Sequence, residues 1–110
     1  MNPNSRCPVE TTLAVIGGKW KAVILYHLSE GTLRFGDLRR RMPLITQKML
    51  TQQLRELEAD GIIHRQAFAE VPPRVEYSLT ELGESLEGVL TAMCLWGEHF
   101  EHLRNQQEAG

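Results

Sequence analysis

The chain has two cysteines, Cys7 and Cys94, in 110 residues, too few for a disulfide-built scaffold. It has no run of about 18 apolar residues, so no membrane span is expected. It has no basic-then-apolar leader pattern at its N-terminus, and a cytoplasmic location is expected. Paired carboxylates, an activated nucleophile and a glycine-rich phosphate loop are all missing. Gly17-Gly18-Lys19 lacks both the spacing and the following Ser/Thr of a P-loop. No catalytic residue and no cofactor are therefore expected, and the chain does not read as an enzyme.

A hydrophobic content of 42% is enough for one folded domain, expected over residues 7–105, with flexible tails at 1–6 and 106–110. The net charge of −2 hides an uneven distribution. Lys19 to Arg74 holds ten basic and six acidic residues, whereas the remainder holds two basic and eight acidic. A basic middle between acidic ends suits a module that meets a polyanion through its centre.

Residues 46–61 carry the most information. Leu50, Leu54 and Leu57 fall on one face at helical spacing. Lys48, Thr51, Gln52 and Arg55 fall on the other. Thr46 suits an N-cap, and Gly61 stands where a left-handed C-cap belongs. The polar face has the side-chain chemistry that reads base edges and holds phosphates. A merely solvated helix shows the same polarity, so the neighbouring elements matter.

Before this segment, Pro8 can open a helix with Val9, Leu13 and Ile16 on one side, ended by Gly17-Gly18. A second helix from about Lys19 is expected to bury Trp20, Val23, Ile24 and Leu28 and to stop at Gly31. Residues 32–35 read as extended. A short helix, Asp37 to Met42, places Phe35, Leu38 and Met42 inward and is stopped by Pro43. A short helix, a tight turn and a polar-faced helix make a helix-turn-helix. After it, 62–70 and 74–79 read as two strands of a wing, with a stiff tip at Val71-Pro72-Pro73-Arg74. Arg74 is expected to reach the DNA backbone or minor groove. A long last helix from about Thr80 carries Leu82, Leu86, Val89, Met93, Trp96, Phe100 and Leu103, a three-heptad seam. So much apolar surface on so small a domain implies a partner subunit.

These segments resemble the HxlR family of winged-helix regulators, relatives of the MarR group. The resemblance rests on Cys7-Pro8-Val9-Glu10, Ile16-Gly17-Gly18-Lys19-Trp20 and Arg34-Phe35-Gly36-Asp37-Leu38. It continues through residues 49–57, Val71-Pro72-Pro73-Arg74-Val75-Glu76-Tyr77 and Ser78-Leu79-Thr80-Glu81-Leu82-Gly83, and spans about Cys7 to Leu103. It implies a homodimer joined by the first and last helices, acting on palindromic operator DNA, more often as a repressor. It also implies that the cysteine matching Cys7 serves as a thiol sensor in some members.

The expected architecture is mainly α with a small β-hairpin wing: a winged helix-turn-helix with N- and C-terminal dimerisation helices. The expected DNA-contacting residues are Thr46, Gln47, Lys48, Thr51, Gln52, Arg55 and Arg74. Lys19 and Lys21 open the second helix, where a phosphate contact is expected to be feasible, and for Arg39-Arg40-Arg41 phosphate contact competes with a plain solvated face. Cys7, at a helix start and beside Arg6, is a candidate redox-sensing residue answering an electrophile or oxidant, against the alternative of an ordinary exposed thiol. Cys94 reads as a buried small apolar residue. His99 and His102 could share a face, but no metal site is expected. Two other readings stay open: a ligand-responsive regulator of the same fold, and a winged-helix module for protein–protein assembly.

Overall fold

The computed structural model describes residues 7–109. The stretch 1–6, with Arg6, and Gly110 lie outside the described residues. The elements run α1 (Pro8–Ile16), α2 (Lys21–Leu28), β1 (Leu33–Arg34), α3 (Phe35–Arg41), α4 (Gln47–Ala59), β2 (Ile63–Phe68), β3 (Arg74–Leu79), α5 (Glu81–Glu84) and α6 (Glu87–Ala109).

Local chemistry sets the boundaries of α4. The Thr46 hydroxyl accepts a hydrogen bond from the Met49 N–H at 3.0 Å, satisfying one donor of the first turn. Ile45 and Leu50, one before the cap and four beyond it, are both buried and clamp the chain's entry. At the other end Gly61 has φ +75°. The Ile62 N–H reaches the Leu57 carbonyl and the Gly61 N–H reaches that of Glu58, each at 3.0 Å. That is the two-bond left-handed stop predicted for a glycine. Leu50, Leu54 and Leu57 are sealed in a core with Ile24, Leu25, Leu28 and Leu38.

The sheet is antiparallel in the order β1-β3-β2. The hairpin was expected, but the docking of β1 onto β3, through Leu33↔Tyr77 and Arg34↔Glu76, was not. Two residues are too few to show a period. In α2, Ile24 and Leu28 are buried as expected, but Val23 is exposed and Leu25 is buried in addition. The helix begins at Lys21, after a turn through Gly18 to Trp20, and Trp20 is only partly buried.

The last helix also differs from expectation. It is broken at 85–86 into α5 and α6. Thr80 fixes the first piece: its hydroxyl lies 2.7 Å from the Gly61 carbonyl and accepts from the Gly83 N–H at 3.1 Å. A Cβ on Gly83 would come within 2.2 Å of the Ile62 carbonyl, so only glycine lets this turn close on the end of α4. Leu90, expected off the seam, is the α6 side chain that enters the core, and Leu82 is exposed. The helix runs on to Ala109, so residues 106–109 continue α6 rather than forming the expected tail.

Candidate nucleic-acid interface

The outward face of α4 gathers the expected contact residues. Gln47, Lys48, Thr51, Gln52 and Arg55 line one shallow surface, with Glu56 at its edge. Spacings of three and four residues put them on one side, opposite the buried leucines. Gln47, Lys48, Gln52 and Arg55 are exposed and Thr51 is half-buried. Thr46 contributes the cap rather than a free side chain.

Glu56 would repel a polyanion, and Lys21 answers it. Lys21 Nζ sits 2.9 Å from the Glu56 carboxylate, crossing from α2 to α4. The hydrogen bond and charge of Lys21 hold the Glu56 carboxyl below the usual carboxylate range. Lys21 is therefore engaged within the fold, not free for phosphate as the sequence suggested. Lys19 lies over the Trp20 ring at 4.8 Å. Of the arginine run, Arg40 pairs with Asp37, and Arg41 meets Glu30 at 2.7 Å. Arg39 has no carboxylate partner among the described residues.

The wing departs further from expectation. Arg74 folds back instead of projecting. Its guanidinium lies 4.0 Å from the centroid of the Phe68 ring, 3.0 Å from Glu70 and 3.6 Å from Glu76. The register pairs Phe68 with Arg74 and sets this cluster, and no linear pattern displays it. Arg65, not among the expected contacts, also joins the site. The antiparallel pairing places it on β2 beside α4, lining a notch with Thr51 and Arg55. The available signal was an arginine at a position where strand alternation calls for an inward residue.

Cys7 is the N-cap of α1 and is exposed. Its N–H donates to the Glu10 carboxylate at 3.3 Å. That carboxylate occupies the positive end of the helix. Cys94 is half-buried rather than buried. Its Sγ lies 3.9 Å from the Tyr26 hydroxyl and 3.7 Å from the Glu98 carboxylate. The bond to Cys94, then its charge, push the Tyr26 hydroxyl's pKa up. Among the described residues no three His, Cys, Asp or Glu side chains group at metal-holding distance, and no helix is long and apolar enough to cross a membrane.

A polar-faced helix behind a tight turn, followed by a hairpin, defines a winged helix-turn-helix protein. The chain matches the HxlR-like helix-turn-helix family model over residues 15–105. It is 57% identical over 103 residues to the HTH-type transcriptional regulator YdeP of Bacillus subtilis (strain 168), covering 94% of this chain and 80% of YdeP. The structure is similar to the redox regulator HypR in its reduced form, with TM-score 0.85, 55% identity and coverage of 91% of this chain and 99% of that one. It is also similar to the reduced form of the transcriptional regulator YodB from B. subtilis, with TM-score 0.74, 37% identity and coverage of 87% and 95%. The chain belongs to the HxlR-like helix-turn-helix family and is a winged-helix transcriptional regulator.

Proposed function

We propose that the protein is a cytoplasmic homodimer that binds a palindromic operator, acts as a repressor, and is released when Cys7 is modified by an electrophile or oxidant. One observation carries the DNA-binding part. The outer face of α4 presents Gln47, Lys48, Thr51, Gln52 and Arg55 together, and Lys21 neutralises Glu56 at the edge of that surface. Glutamine can pair with adenine, and arginine with guanine or phosphate. A protein–protein surface would need apolar anchors at its centre, and this face has none there.

Dimerisation is supported by an apolar face with no cover. Val9 and Leu13 on α1, and Val89, Met93, Trp96, Phe100 and Leu103 on α6, are all exposed in the single chain. Two-fold pairing through these helices sets two copies of α4 at a fixed spacing, which a palindrome matches.

Thiol control rests on the position of Cys7. It caps the helix that carries Val9 and Leu13, so an adduct there disturbs the dimer contact and with it the spacing of the two α4 helices. The similar protein HypR is a redox regulator with an oxidised and a reduced form. The test is binding of the reduced protein to the intergenic DNA beside its own gene, against random duplex, before and after mild thiol oxidation. Selective binding that is lost on oxidation in the native protein and kept in Cys7→Ser supports both parts. Equal oxidant sensitivity in Cys7→Ser removes the sensor and leaves the DNA-binding part standing.

A further inference from the structure

The geometry points to a second element of DNA contact: a notch between α4 and the sheet that holds one backbone phosphodiester of the bound duplex. The inference rests on the DNA-binding reading above and adds Arg65 and Tyr77 to it. The notch is lined by Thr51, Leu54, Arg55 and Glu58 from α4, and by Arg65 and Tyr77 from the sheet. Thr51, Arg55 and Glu58 are spaced by four and three residues, so they form one stripe of the helix. Arg65 and Tyr77 are direct cross-strand partners, so they share one face of the sheet.

That face is the inner one. Ile63 and Leu79, two residues along from Arg65 and Tyr77, lie on it, and Ile63 is buried in the core. Arg65 itself is exposed, at the rim of that face. Arg65 has no carboxylate within 4.0 Å among the described residues, although Glu58 lines the same notch, and Arg55 likewise has none. Two arginines thus line one notch with no carboxylate partner among the described residues.

Tyr77 is the independent observation. The residue is 8% exposed, and its hydroxyl makes no side-chain hydrogen bond among the described residues. The hydroxyl itself is not sealed off, so it is open to an acceptor that enters the notch. An anion in the notch accepts from this hydroxyl and from both arginines. In the helix-turn-helix arrangement the groove-facing residues of α4 bring the flanking strand alongside, and the notch lies beside Thr51 and Arg55 of that face. Contacts of this kind fix register and carry no sequence information.

A competing role for Arg65 is to block edge-to-edge pairing of β2. Equilibrium titrations of the protein across a series of KCl concentrations separate the two. The probes are a duplex selected from a randomised pool and an unrelated duplex. Arg65→Gln should weaken both duplexes by the same factor, roughly tenfold. It should also reduce the log–log salt slope by about 1. Glu58→Gln should tighten both. Tyr77→Phe should weaken both without changing the slope. A single neutral methylphosphonate, placed in turn at each backbone position, should at one position erase the difference between the native protein and Arg65→Gln. Unfolding midpoints of the variants confirm that folding is unchanged. If the native protein selects its duplex while Arg65→Gln and Glu58→Gln bind with unaltered affinity and slope, the notch proposal fails and the DNA-binding reading survives. If the native protein selects no duplex at any salt, both fall together.

Discussion

His27 shows how one side chain senses its neighbours. It lies half-buried at the end of α2, and burial, then the Arg41 cation, lower its pKa below the ordinary 6.5, while Glu30 pulls the other way. The folded protein therefore resists protonating it. Below pH 6.5 the unfolded chain binds a proton that the folded chain does not, so stability falls as pH drops through that value. Asp37 and Glu56 act in the same direction at lower pH, because the Arg34 N–H and Lys21 respectively hold their carboxyls below the usual range. Melting temperatures measured from pH 7.5 to 5, at fixed protomer concentration, should decline in the native protein and decline less in His27→Gln. Equal slopes would mean that His27 titrates normally. At this scale the sequence was legible where a residue's role follows from its own type and its near neighbours. Thr46, Gly61 and the polar face of α4 are such cases. Arg74 was not legible, because its partners Phe68, Glu70 and Glu76 are brought together by strand register.

The elements owe their ends to a few backbone contacts, and these are open to measurement. Gly61 has nothing within 4 Å of an added Cβ, so Gly61→Ala meets only the left-handed backbone penalty. That should cost about 1–2 kcal/mol. Thr46→Ala removes the cap bond and should cost about 1 kcal/mol. The two sites stand at opposite ends of a 13-residue helix, so their effects should add in urea unfolding. A neutral Gly61→Ala would contradict the left-handed stop. Helix and strand identities were readable from period and punctuation. The break between α5 and α6 was not, since the apolar spacing runs through it without interruption. Nor was the close approach of Gly83 in α5 to the Ile62 carbonyl, a contact between segments far apart in the chain.

The molecule as a whole is extended for its length. Its radius of gyration is 16.6 Å, against about 13 Å for a compact chain of this size. The excess comes from α6, 23 residues long, whose aromatic pair Trp96 and Phe100 stack at 5.3 Å with no cover from the rest of the chain. The proposed homodimer would cover it. Trp96→Arg combined with Leu103→Arg should yield monomers in sedimentation at micromolar concentration, with a folded circular-dichroism spectrum and at least a tenfold loss of affinity for a palindrome. Persistent dimers would place the interface elsewhere. The heptad spacing displayed this surface in the sequence, although it did not show that Leu90 alone turns inward.

The claim on which all of this depends is that α4 reads bases. The direct measurement is a base-by-base preference profile of the native protein and of Arg55→Ala and Gln52→Ala, selected from one randomised library. The account predicts a two-fold symmetric preference in the native protein, with each variant losing preference at one position in each half-site at a cost of roughly 1–3 kcal/mol. Variants that keep the native profile and bind all sequences uniformly more weakly would contradict it, and would reduce α4 to a phosphate clamp.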